Sequence, residues 1–226
     1  MNQCISVLLV DDHAVVREGY RRLLEATHRI NVVAEAGNGE DAYQRFLEFV
    51  PDVTVMDISL PGIGGLEVLR RILSRQVSAR VLMFSMHDDP IFVARALDGG
   101  AQGYLTKASA PEMMVDAVTA IAGGHRFIGA DVAGKLDAMR SGAELGKLDP
   151  LTEREFEVLR LLVDGRTVAE IGELMCLSSK TVSNYQTSIR QKTGAETPMQ
   201  LLRVALSSGL INAAALSAHT SLPAGE

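Results

Sequence analysis

No stretch of the 226 residues approaches about 18 uninterrupted apolar positions, so nothing in the sequence reads as a membrane-spanning helix. The opening MNQCISVLLVDDH holds a short apolar run but neither a basic leader nor a small-residue cleavage site. Two acids close it, and it reads as a buried strand rather than a secretion signal. Cysteine is nearly missing. Cys4 and Cys176 stand far apart, in apolar surroundings and without zinc spacing, and are expected to be buried and reduced, as in a cytoplasmic protein. A surplus of positive charge is missing too. Residues 1–122 carry 11 basic and 16 acidic side chains, a net of −5, and residues 148–212 carry 7 and 8, a net of −1. A strongly basic half would signal nucleic acid by bulk electrostatics; without one, partners have to be argued from local features. With 47% hydrophobic and 22% charged residues, the chain has ordinary globular composition and suffices for one large domain or two ordinary ones.

The first half alternates two periodicities. ISVLLV (5–10), INVVAEA (30–36), DVTVMD (52–57), ARVLMFS (79–85) and GYLT (103–106) are short apolar runs rich in β-branched residues. Between and after them lie helical-period segments at Ala14–Ala26, Gly39–Phe49, Gly65–Arg75, Pro90–Leu97 and Pro111–Ala122. Five such units predict an α/β, flavodoxin-like, doubly wound domain over residues 1–122, built on a five-stranded parallel sheet. Apolar runs without alternation are what burial on both faces of a sheet demands. Residues 123–147, rich in Gly and small side chains, read as a linker in which Asp131–Arg140 has the composition of a short helix. From Leu148 every signal is helical. Thr152 and Glu155 form a capping box, Gly165 closes the first helix, and Val168–Met175, Ser178–Thr193 and Pro198–Ser208 follow. These predict a small all-α, four-helix domain over 148–212 with a frayed tail at 213–226.

In a doubly wound sheet ligands bind beyond the carboxyl ends of the strands. There the reading places Asp11 and Asp12 after the first strand, Asp57 at the end of the third, Ser85 at the end of the fourth and Lys107 after the fifth. Three crowded carboxylates repel one another unless a cation lies among them, and hard oxygen donors favour Mg²⁺. A lysine and a hydroxyl beside such an ion complete a site for a phosphoryl group, with a carboxylate as the attacking nucleophile. Asp57, on the inner strand and ahead of the turn Leu60-Pro61-Gly62, is the candidate nucleophile.

LLVDDH, VTVMDISLPGIGGLEVLR, VLMFSMHDD and GAQGYLTK resemble the response-regulator receiver family. The resemblance implies that Asp57 is the phosphoacceptor, that Asp11 and Asp12 are the acidic pair, and that Asp11, Asp12, Asp57 and the Ser59 backbone carbonyl help hold Mg²⁺. It further implies that Ser85 is the switch hydroxyl, Tyr104 the aromatic that follows it inward, and Lys107 the partner of the phosphoryl oxygens. Ala108 departs from the proline that many receivers carry after this lysine. Ser59 and His87 flank the site and are placed to bias water access, although a solvated loop position also accounts for His87.

LTEREFEVLRLLVDGRTVAEIGELMCLSSKTVSNYQTSIRQKTGAETPMQLL resembles the helix-turn-helix domain of the LuxR/NarL type. In its second helix Val182, Gln186 and Ile189 share one face, with Tyr185 alongside. Ser183, Asn184 and Thr187 occupy the other, and no acid falls between Leu174 and Ala195. The resemblance implies that Ser183, Asn184 and Thr187 face the major groove. Lys180, Thr181, Arg190 and Lys192 are then placed for phosphates, which position without specifying. With so few cations, one copy is expected to bind weakly and a homodimer to be needed. The implied partners are a sensor histidine kinase and double-stranded DNA; the implied role is phosphorylation-switched transcription control, with no catalysis beyond the chain's own phosphoryl transfer and dephosphorylation. A phosphohydrolase built on the same Asp and Mg²⁺, a helical domain that binds protein, and a regulator triggered by a small molecule stand as alternatives.

Overall fold

A computed structural model describes residues 4–140, 151–175, 177–208 and 210, in two compact units divided between Asp137 and Ala138. The first unit starts β1 (Ile5–Val10), α1 (Ala14–Glu25), β2 (Ile30–Ala36), α2 (Gly39–Phe49) and β3 (Val53–Met56). It continues α3 (Gly65–Arg75), β4 (Val81–Ser85), α4 (Pro90–Asp98), β5 (Gly103–Thr106) and α5 (Glu112–Ala122). The strands are parallel in the order β2-β1-β3-β4-β5, the doubly wound order that changes direction between β1 and β3. Every residue of β3, β4 and β5 is buried, whereas β2 at the sheet edge alternates. Central strands are covered on both faces by helices; the edge strand is not.

Local chemistry sets the helix limits. Asn38 caps α2 by accepting the Asp41 N–H, and α2 stops at Val50 in the left-handed region (φ 43°) ahead of Pro51. A residue before proline is barred from the helical conformation. Asp89 caps α4 through the Ile91 N–H, and Pro90 occupies the first turn, where a missing N–H costs nothing.

The sheet has six strands rather than five. β6 (Phe127–Ile128) pairs with β5, and α6 (Ala130–Arg140) follows it, so residues 127–140 of the expected linker carry regular structure. Two residues are too short for periodicity to announce; the strand forms because Phe127 N–H and Gly129 N–H donate to the carbonyls of Gln102 and Tyr104. Cys4 is exposed, contrary to expectation, because it precedes the first paired residue of β1. Cys176 and the tail 213–226 lie outside the described residues.

The second unit holds α7 (Glu153–Val163), α8 (Val168–Leu174), α9 (Ser179–Thr193) and α10 (Pro198–Ser207). Capping boxes at Thr152/Glu155, Thr167/Glu170 and Thr197/Gln200 start three of them, and Ser178 caps α9 through the Thr181 N–H. Gly165 and Gly194, with φ of 82° and 69°, terminate α7 and α9 in the conformation glycine adopts without penalty. Phe156, Leu159, Ile171, Val182, Ile189 and Ala205 are fully buried. Between α8 and α9 the Leu177 carbonyl lies 2.8 Å from where a Cβ on Gly172 would stand, so the steep helix-turn-helix crossing depends on that glycine.

Candidate functional site

Asp57 leaves the end of β3 with its N–H bonded to the Val10 carbonyl, 2.9 Å, which brings it beside Asp11 at the end of β1. Lys107 leaves β5 with its N–H on the Ser85 carbonyl, 2.8 Å, bringing the fourth and fifth strand ends to the same edge. All of these converge. The Lys107 ammonium lies 2.6 Å from Asp57 Oδ2 and 2.6 Å from Asp11 Oδ2. Toward Asp57 the approach is a well-aligned hydrogen bond. Asp11 Oδ2 is buried without an aligned donor. On the other side the ammonium sits over the Phe84 ring, 5.8 Å from its centroid.

Burial pushes the Asp57 carboxyl above its ordinary range; Lys107 offsets this in part, and the Asp11 charge adds to it. For Lys107, burial favours the neutral amine, but the Asp57 and Asp11 carboxylates outweigh it and hold the ammonium above its ordinary pKa. The result is an under-solvated carboxylate held beside a fully charged lysine, a combination suited to a carboxylate nucleophile that gives up its own charge on attack while the ammonium stays to meet incoming anionic oxygens.

Asp12 lies beside Asp11 and is partly exposed. His13 closes a cluster with them, its Nδ1 at 2.6 Å from Asp12 Oδ1, and the ligand atoms of all three fall within 4.8 Å of one another. Two carboxylates with one buried oxygen lacking an aligned donor fit a hard divalent cation. His13 escaped the sequence reading although it directly follows the acid pair.

Ser59 N–H donates to Asp57 Oδ1, 3.2 Å, and its hydroxyl meets His87 Nε2 at 3.2 Å. His87 stacks on Phe92 with centroids 4.3 Å apart and donates its N–H to Ser85 Oγ, 3.2 Å. Tyr104 is wholly buried and its hydroxyl donates to the His87 carbonyl, 2.7 Å. The β4–α4 turn thus ties Ser85 to Tyr104 through one residue's backbone. The peptide bond after Lys107 is trans, as are all described here. Gly65 was also missed: a Cβ there would stand 2.0 Å from the Asp57 carbonyl, so only glycine permits α3 to start so close to this turn. From α6, Asp131 accepts the Thr106 hydroxyl at 2.5 Å and Lys135 pairs with Asp88 at 2.5 Å, joining the segment to both strand ends flanking Ser85 and Lys107.

In the helical unit Lys180, Ser183, Asn184, Thr187 and Arg190 are exposed on α9, with Thr181 half-buried at its start. The hydroxyls of Ser183 and Thr187 donate to carbonyls one turn back, 3.0 Å each, which leaves their oxygens as acceptors. Lys192 is placed differently. Its ammonium is 2.7 Å from Glu155 Oε2 on α7.

Among the described residues no helix is long and apolar enough to cross a membrane. Residues 7–119 match the family described as "Response regulator receiver domain", and residues 149–205 match "Bacterial regulatory proteins, luxR family". The chain is 38% identical over 217 residues to the response regulator UvrY of Escherichia coli K12, covering 95% of this chain and 100% of that protein. A crystal structure of a LuxR-family two-component response regulator from Aurantimonas sp. SI85-9A1 is 43% identical with a TM-score of 0.60, over 62% of this chain and 99% of that one. RcsB from Salmonella enterica serovar Typhimurium, solved bound to a promoter in the presence of the phosphomimetic BeF3−, is 28% identical with a TM-score of 0.58, over 90% and 98% of the two chains.

Proposed function

The chain belongs to the two-component response regulators that carry a LuxR-type DNA-binding domain, and from that premise we propose that phosphorylation of Asp57 switches its binding to DNA. The observation that carries this reading is the Lys107 ammonium shared between Asp57 and Asp11, 2.6 Å from each. A sensor histidine kinase in the cytoplasm is the donor. Asp57 Oδ attacks phosphorus, the P–N bond to the kinase histidine breaks, and a P–O bond to Asp57 forms. Asp11, Asp12, Asp57 and the Ser59 carbonyl are the residues to hold Mg²⁺, which when bound supplies neutralisation of the phosphoryl oxygens. Lys107 follows one of those oxygens as charge builds on it. Ser85 turns its hydroxyl to another, giving up the His87 N–H, and Tyr104 holds the β4–α4 turn through the His87 carbonyl.

Residues 1–122 receive the phosphate, 148–212 bind DNA, 123–147 join them and 213–226 form a tail. The pairing of β6 with β5 supports counting the first part of that join with the receiver. Ser183, Asn184 and Thr187 read the major groove, while Lys180, Thr181 and Arg190 contact phosphates. A net charge of −1 over 148–212 leaves one copy a weak binder. Phosphorylation therefore acts by pairing copies on two half-sites about 10 bp apart. The test is label uptake from a phosphodonor with Mg²⁺, followed by binding to DNA selected from random sequence. Asp57→Asn abolishes uptake and the phosphodonor-dependent gain in binding; uptake at the wild-type level removes Asp57 from this role.

A further inference from the structure

α9 carries three cations, and one of them, Lys192, is tied at its ammonium to a buried acid of α7. Lys192 and Ser188 lie one turn apart on the same side of the helix, and both reach a single carboxylate on α7. Lys192 Nζ donates to Glu155 Oε2 at 2.7 Å and Ser188 Oγ to Oε1 at 2.5 Å. The Thr152 N–H donates to Oε2 at 2.6 Å, as part of the box that starts α7. Glu155 is 4% exposed. One buried acid therefore joins the first turn of α7 to two positions of α9. The apolar anchors of α9, Val182 and Ile189, form a single stripe. Apolar packing is non-directional and tolerates small rotations and slides; charge-assisted hydrogen bonds are short and directional. The carboxylate supplies the restraint that the stripe lacks.

We propose that Lys192 is a positioning residue rather than a phosphate contact: with Ser188 it clamps α9 to Glu155, setting the rotation at which Ser183, Asn184 and Thr187 enter the groove. The proposal rests on the DNA-binding reading of this domain. It also reassigns one cation of the recognition helix, which lowers the phosphates each copy neutralises and strengthens the dependence on pairing.

The experiment uses the full-length chain with a small acyl phosphate and Mg²⁺, on a duplex selected by the wild type and on a scrambled duplex of equal length. Affinities of wild type, Lys192→Met, Glu155→Gln, the double variant and Arg190→Met are followed against salt. Glutamine still serves a capping box, so Glu155→Gln keeps the start of α7, and calorimetry verifies folding. Lys192→Met and Glu155→Gln each weaken binding to the selected duplex about tenfold, the effect of one charge-assisted hydrogen bond. Both spare the scrambled duplex, leave the salt slope unchanged, and are no worse combined than singly. Arg190→Met instead weakens both duplexes and lowers the slope by about one. The proposal is overturned if Lys192→Met behaves like Arg190→Met, or if Glu155→Gln binds as tightly as wild type or more tightly, as bulk electrostatics alone requires. Wild type that prefers no duplex overturns the DNA reading and this proposal together.

Discussion

Each unit of the molecule buries a carboxylate against a lysine, and the two pairs are built to opposite ends. Asp57 meets Lys107 at 2.6 Å and Glu155 meets Lys192 at 2.7 Å. Burial pushes the Asp57 carboxyl up, and Lys107, shared with Asp11, does not bring it back. Burial also opposes the Glu155 charge, but donors from Lys192, Ser188 and Thr152 outweigh it and hold that carboxyl below its ordinary range. A buried acid surrounded by donors is a structural tie. One left short of donors, with a second acid alongside, keeps an unsatisfied negative charge at the strand ends, as the proposed phosphoacceptor role requires. Distance to the lysine does not separate the two cases; the count of remaining donors and the presence of a competing charge do.

The strongest way to break this contrast is to remove the shared lysine. Lys107→Met leaves two buried acids unpaired and should lower receiver stability by about 3 kcal/mol at neutral pH, read as the loss of midpoint in urea unfolding. An unchanged midpoint would mean that water, not Lys107, satisfies Asp57 and Asp11. Next in size, the two acids should respond with opposite signs when neutralised. Asp57→Asn relieves repulsion and raises the receiver's transition by about 3 °C, whereas Glu155→Gln weakens the tie and costs the helical unit about 1 kcal/mol. Calorimetry resolves both, and equal signs would dissolve the distinction.

Acid sharpens it further. A raised folded pKa makes ionised Asp57 a cost at pH 7, a cost that vanishes below its unfolded value of 3.8. The advantage of Asp57→Asn over wild type is therefore largest at neutral pH and shrinks as the pH falls through the raised pKa. For Glu155 the stabilisation is complete above 4.5 and lost as pH falls through the depressed pKa, so the Glu155→Gln deficit persists at neutral pH and closes only in more acid solution. Melting temperatures of the three proteins across pH 3–7 check both slopes. The smallest effect is expected at Lys135. Its pair with Asp88 is exposed on both sides, surface pairs contribute little, and Lys135→Met should leave the receiver's transition where it is.

Much of the acidic site at the strand ends was legible before folding because strand ends are readable. Asp11, Asp57, Ser85 and Lys107 each follow an apolar run, and a parallel sheet sends all such ends to one edge. His13, Gly65 and Phe84 were not legible. His13 joins the acids through its ring, Gly65 matters only because the Asp57 carbonyl comes within 2.0 Å of its missing side chain, and Phe84 meets Lys107 across the sheet face. β6 escaped for a different reason, since two residues carry no period and the strand exists only by pairing with β5. In the helical unit the capping box at Thr152 and Glu155 was evident from spacing, yet spacing could not reveal that the same carboxylate also holds α9.

What the sequence determined by itself is therefore local and periodic: where strands and helices run, how they stop, and which chemistry stands at each end. Tertiary structure alone decided which charges share a partner. Lys107 and Lys192 look alike in the sequence, one lysine after a strand and one near the end of a helix. Each is assigned its role by acids 50 and 37 residues away. The field at a side chain depends on what packs within a few ångströms of it, and chain spacing does not encode that distance.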